Sequence, residues 1–133
     1  MLVHFYKFID KLRGTPARKN KIILISTAIA VVLNIIIWLV IYLRLRPLVI
    51  NLPDEQSFIP LHYNIYLGVD SFGKWTKTFM LPGLGLLFLL INTILALTIY
   101  SRKEILSYFL VIVSAVVQVL LLISTILVVL INI

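Results

Sequence analysis

Three stretches of this chain, Ile22 to Leu43, Phe79 to Tyr100 and Ile105 to Ile133, contain no Asp, Glu, Lys, Arg or His. Each is at least as long as the ~20 residues a helix needs to cross a hydrocarbon core of about 30 Å. A small soluble domain has no interior for so much apolar surface: the 133 residues are 62% hydrophobic and only 13% charged, with a mean hydropathy of +1.12. The expected fold class is therefore an all-α integral membrane protein with three transmembrane helices and a short extended, β-like extracytoplasmic loop. Its segments are a cytoplasmic interfacial helix (1–14), three spans (15–44, 78–100 and 105–133), a loop (45–77) and a tight cytoplasmic turn (101–104). The third stretch exceeds the length of a span and is expected to tilt or to project past the interface.

Basic residues set the expected orientation, because translocation tends to leave them in the cytoplasm. Lys7, Lys11, Arg13, Arg18, Lys19 and Lys21 precede the first span, and Arg102 and Lys103 sit in the turn between the second and third. Both segments are then cytoplasmic, with the Arg44 to Lys77 connection and Ile133 outside, against a weaker opposing signal from Arg44, Arg46, Lys74 and Lys77. The first span resembles the apolar part of a signal peptide, yet it is longer and no small-x-small cleavage site follows, so it is expected to stay as an anchor. The net charge of +7 does not indicate nucleic acid, since half of the basic residues flank one span, where topology and anionic lipid headgroups account for them. The chain has no cysteine, which excludes disulfides and thiolate metal sites.

Local patterns add detail. Leu2, Phe5, Phe8, Ile9 and Leu12 recur at helical spacing against Lys7, Asp10, Lys11 and Arg13, as in a helix lying in the membrane interface and ended by Gly14. Thr15 then caps the helix that leads into the first span, with Pro16 in its first turn. Ser101 and Glu104 have the spacing of a capping box. Pro82, Gly83 and Gly85 predict a kink or a close helix contact at the outer end of the second span.

Polar residues inside the spans fall on heptad stripes: Ser107, Ser114, Gln118, Thr125 and Asn132 in the third, Thr27 and Asn34 in the first, Gly85, Asn92 and Ala96 in the second. A heptad repeat keeps residues on one face, so these stripes should meet and pack the helices. Asn34 and Gln118 lie at about the same depth, roughly 20 Å from the cytoplasmic helix ends at 1.5 Å per residue, and are expected to pair. No ionisable residue accompanies them, which favours packing over proton or ion handling.

From Ile59 to Asp70 the loop alternates. Ile59, Leu61, Tyr63, Ile65, Leu67 and Val69 are apolar, and His62, Asn64 and Asp70 fall between them. A continuous strand would put the first set on one face, with Leu61, Tyr63, Ile65 and Leu67 packed on the helix ends or on a neighbouring loop segment such as Leu48 to Leu52, and His62 and Asn64 on the other side. It would also hold His62 and Asp70 about 26 Å apart, too far to share a metal unless the chain folds back. Asp54 and Glu55 reach His62 only through a turn, and no recognised ligand spacing supports a site. No nucleophile-base triad, paired carboxylates or phosphate-binding loop is present, so the reading is of a non-enzyme without cofactor or metal.

Leu52-Pro53-Asp54, then Ile59-Pro60-Leu61-His62-Tyr63-Asn64, Gly68, Asp70, Lys74, Trp75 and Pro82 resemble the small domain of unknown function found between transmembrane helices in bacterial Sdp-type immunity proteins and relatives. The resemblance covers about a quarter of the chain. It implies a bacterial inner-membrane protein whose loop recognises a partner, a secreted toxic peptide or a signalling protein, through His62, Tyr63, Asn64, Tyr66, Asp70, Lys74 and Trp75. Phe72 adds a further aromatic contact, and the aromatic residues equally suit anchoring at the outer interface. The expected partners are membrane lipids and a protein or a second copy of the chain. The alternative is an accessory subunit of a larger membrane complex, with the polar stripes facing other chains.

Overall fold

The computed structural model describes residues 2–53 and 56–133; within the first helix, the side chains of Leu2, His4, Phe5, Phe8, Lys11 and Arg13 lie outside the description, as do Asp54 and Glu55 in the loop. The elements in chain order are α1 (Leu2–Gly14), a short 3-10 turn (Pro16–Lys19), α2 (Lys21–Val49), β1 (Phe58–Asn64), β2 (Gly68–Lys74), a second 3-10 turn (Trp75–Phe79), α3 (Met80–Ile99) and α4 (Glu104–Leu130). Three of the helices, α2, α4 and α3 with its preceding turn, are long and apolar enough to cross a membrane.

These three form a bundle in which α2 and α4 run parallel and α3 runs antiparallel to both. At one end, which carries the basic segments, Asn20 reaches Tyr100 and Tyr108. At the other, Ile37, Ile41, Leu45 and Val49 of α2 pack with Val129 of α4 and with Ile59 of the hairpin that β1 and β2 form. The distribution of polarity is the reverse of that in a soluble bundle. Leu24, Leu39, Leu43, Leu87, Leu90, Val116 and Leu120 face outward, while Asn34, Asn92, Ser107, Ser114, Gln118 and Thr125 are buried. Apolar side chains outside and hydrogen-bonding groups inside is the arrangement a hydrocarbon surrounding favours.

The buried polar groups form successive rungs between the helices. Ser107 Oγ donates to the Ala96 carbonyl at 2.9 Å, and Asn92 Nδ2 donates to Ser114 Oγ at 3.1 Å. Asn34 Nδ2 then donates to Gln118 Oε1 (3.1 Å) and to the Pro82 carbonyl (2.9 Å), while Gln118 Nε2 donates to the Gly85 carbonyl (2.8 Å). Trp38 Nε1 completes the layer by donating to Asn34 Oδ1 at 3.1 Å. The expected Asn34–Gln118 pair is thus present and ties all three helices at one level. Gly85 is what admits it: a Cβ there would stand 2.8 Å from Gln118 Oε1 and 3.1 Å from Asn34 Nδ2. Thr125 is buried on the expected stripe, but among the described residues its hydroxyl has no hydrogen-bond partner, so it contributes by its small size.

Several local expectations are corrected. α2 continues past Leu43 to Val49, because Leu45 and Val49 prolong the buried row of Ile37 and Ile41 while Arg44 and Arg46 point to the exposed side. The Arg46 guanidinium lies over the Tyr42 ring, 4.9 Å from its centroid, and bonds its hydroxyl. Asn20, not Thr15, caps α2, its Oδ1 accepting from the amides of Ile22 and Ile23 at 2.9 and 3.3 Å. Thr15 precedes the 3-10 turn and makes no side-chain cap. No capping box forms at Ser101, since α4 starts behind Lys103 and the Glu104 carboxylate instead accepts from the Tyr100 and Tyr108 hydroxyls. Pro82 sits in the first turn of α3, where an amide would have no intrahelical partner, so no bond is lost and no kink is required.

Candidate functional site

The alternating segment does not run on as one strand. It folds back as an antiparallel β-hairpin, with Phe58 opposite Lys74, Ile59 opposite Gly73 and Asn64 opposite Gly68. The turn is specified by two residues. Asn64 Oδ1 accepts from the Tyr66 amide at 2.9 Å, closing an Asx turn, and Gly68 has φ of 76°, a region that only glycine enters without cost. Asn64 is therefore a turn-forming residue in this structure, with its side-chain oxygen already engaged.

Folding back overturns the expected separation of His62 and Asp70. The register shifts on either side of His62, leaving Leu61 as the extra residue of β1 and Asp70 as that of β2. His62 Nδ1 and Asp70 Oδ1 come within 2.7 Å. An ionised carboxylate only accepts, so Nδ1 carries the proton and Nε2 remains the ring's second polar atom. The pair is half-exposed and clasps the two strands in the manner of a cross-strand contact. Among the described residues it gains no third ligand: no group of three or more His, Cys, Asp or Glu side chains is close enough to hold a metal ion.

The anchor of the hairpin is also not the one alternation suggests. Ile59 is buried among the helix ends, and Leu61 packs beside it across Gly73, where a Cβ would lie 2.6 Å from Leu61 Cδ1. Tyr63, Ile65 and Leu67, expected on the same packed face, are exposed: Tyr63 stands at the rim of a hollow against α4, and Ile65 and Leu67 fall in the turn that reverses the chain. Ile65, Tyr66 and Leu67 are 81%, 92% and 77% exposed, and Phe72 is exposed on the return strand.

Three further contacts fix the hairpin to the bundle. Asn132 Nδ2, at the end of the polar stripe of α4, donates to the Pro60 carbonyl at 2.8 Å. Trp75, which the sequence suggested as a partner contact, is half-buried against the apolar cluster and meets Phe79 edge-on with ring centroids 5.3 Å apart. Phe79 in turn stacks on Trp38 at 5.1 Å, so aromatic contacts lead from the hairpin base to the Asn34 layer. Lys74 is exposed at the end of β2.

Below the hairpin lies a feature that sequence reading missed. Two adjoining hollows of about 340 and about 380 Å3 share Leu61, His62, Ser124 and Val128. One continues along Leu127 and Ile131 of α4, and the other along Lys77, Met80, Leu81 and Leu84 at the start of α3. The only advance signal was weak: Lys77 just precedes the second apolar run, and Ser124 interrupts the third beside Thr125.

In comparison with known proteins, the chain matches no family model, no curated protein and no solved structure.

Proposed function

We propose that this chain is a multi-pass bacterial inner-membrane protein that presents the β1–β2 hairpin on the extracytoplasmic side to recognise a protein partner, in the manner of an immunity or signalling receptor. The carrying observation is the contrast within the hairpin: its base is pinned by Ile59, Trp75 and the Asn132 hydrogen bond, while Tyr63, Ile65, Tyr66 and Leu67 stand exposed at its tip. Rigidly mounted aromatic and aliphatic side chains lose little entropy when covered, which is what a binding anchor needs. The resemblance to the loop domain of Sdp-type immunity proteins supports the same reading, since His62, Asn64, Gly68 and Asp70, on which it rests, are residues that shape this hairpin. The basic residues of the opposite end support a cytoplasmic location for it, with the hairpin outside.

The test is a photo-crosslinking amino acid at Tyr66, with the same group at lipid-facing Leu90 as control, in cells of the source organism. One adduct of defined mass at Tyr66 alone, lost when Ile65→Asp is added, is the expected result. Equal adducts at both positions, with several large subunits, would replace the receptor reading with that of an accessory subunit in a complex.

A further inference from the structure

The groove under the hairpin has one polar end and one apolar end. At the polar end stand Lys77 and His62, and among the described residues no carboxylate pairs with Lys77, the one carboxylate of the strands, Asp70, being engaged by His62. The Lys77 stem lies against Gly73, its Cδ 3.1 Å from where a Cβ would be, so the side chain starts from the hairpin base. From there the groove descends between Met80, Leu81 and Leu84 of α3 and Ser124 and Val128 of α4. Met80 and Leu84 are also exposed, so the groove is continuous with the outward apolar surface of the bundle.

An occupant that matches this profile is anionic at the top and hydrocarbon below. We propose that the groove binds an anionic phospholipid of the leaflet beneath the hairpin, its phosphate at Lys77 and one acyl chain along Leu81, Leu84 and Val128. A lysine ammonium is a point charge suited to a phosphate, and near a membrane surface one such charge favours anionic lipid about fivefold. His62 Nε2 faces no partner among the described residues and adds a second polar contact at the same end. The inference rests on membrane insertion and is independent of partner recognition by the tip.

Native mass spectrometry of the delipidated protein in detergent, supplied with equimolar phosphatidylglycerol and phosphatidylcholine, tests it. The unmodified chain should retain phosphatidylglycerol about fivefold over phosphatidylcholine. Lys77→Gln should abolish that preference, Lys77→Arg should keep it, and Lys74→Gln, outside the groove, should leave it unchanged. Leu84→Trp, a change on an outward-facing residue that a folded bundle accommodates, should reduce retention of both lipids. A preference that survives Lys77→Gln, or that Lys74→Gln removes equally, would overturn the proposal. So would an unmodified chain that reconstitutes into vesicles yet retains both lipids equally, an outcome that leaves the membrane reading standing.

Discussion

Replacing Gly85 by alanine should damage the bundle, whereas the same change two residues earlier should not. A Cβ at Gly85 would approach Leu121 Cδ1 to 2.6 Å, Gln118 Oε1 to 2.8 Å and Asn34 Nδ2 to 3.1 Å. The leucine methyl can rotate away. The two amides cannot yield without losing their mutual hydrogen bond, because each is also held to a backbone carbonyl of α3. Overpacking of this kind costs about 1 to 3 kcal/mol, and an interhelical hydrogen bond in a membrane contributes about 0.6 kcal/mol on average. Alanine's better helix propensity returns roughly 0.5 to 1 kcal/mol, so the net loss should be about 0.6 to 3 kcal/mol. At Gly83 nothing lies within 4 Å of the added methyl, and Gly83→Ala should be neutral or slightly stabilising. Reversible unfolding in mild detergent, followed by circular dichroism against added dodecyl sulfate, compares the two. Equal stability of the two variants would refute the close-packed amide layer.

Other consequences follow from the same contacts. Ile59→Ala should destabilise the hairpin by about 2 to 5 kcal/mol and make it protease-sensitive, while Ile65→Ala leaves digestion rates unchanged. A double-mutant cycle with Asn34→Leu and Gln118→Leu should give a coupling energy of about 0.6 to 1.7 kcal/mol in detergent unfolding, and strict additivity would exclude direct pairing. Gly68→Ala should cost roughly 1 to 2 kcal/mol by backbone strain alone, since the added methyl meets nothing within 4 Å, and hydrogen exchange at the Tyr66 amide should accelerate.

The helices and their contact faces were legible in the sequence because both follow from periodicity. A run without charges marks a helix long and apolar enough to span a membrane, and a seven-residue recurrence of Asn, Gln, Ser and Gly marks which side of it meets the neighbours. That logic reached the facing stripes and the Asn34–Gln118 pair, while the Asn92–Ser114 bond and the use of the Gly85 carbonyl by Gln118 came from the structure. The hairpin was misread for a physical reason. A strand and a hairpin of the same residues share the period of two, and the turn depends on a side-chain bond from Asn64 and a positive φ at Gly68, neither of which periodicity registers. Once the chain reverses, Ile65 and Leu67 leave the packed face and Asp70 returns to His62. The contacts of Asn20 with Tyr100 and Tyr108 and the groove beside Lys77 were hidden similarly, since both assemble from distant segments.

The central claim, a bundle that crosses the membrane three times and holds its hairpin outside, is tested most directly by accessibility at its two ends. The chain has no cysteine, so Ser71→Cys in β2 and Ser101→Cys in the α3–α4 turn, both exposed positions, report without background. In intact spheroplasts a membrane-impermeant maleimide should label the Ser71→Cys variant at once and the Ser101→Cys variant only after the membrane is opened. Labelling of the Ser101→Cys variant alone, or of both in sealed cells, would contradict it.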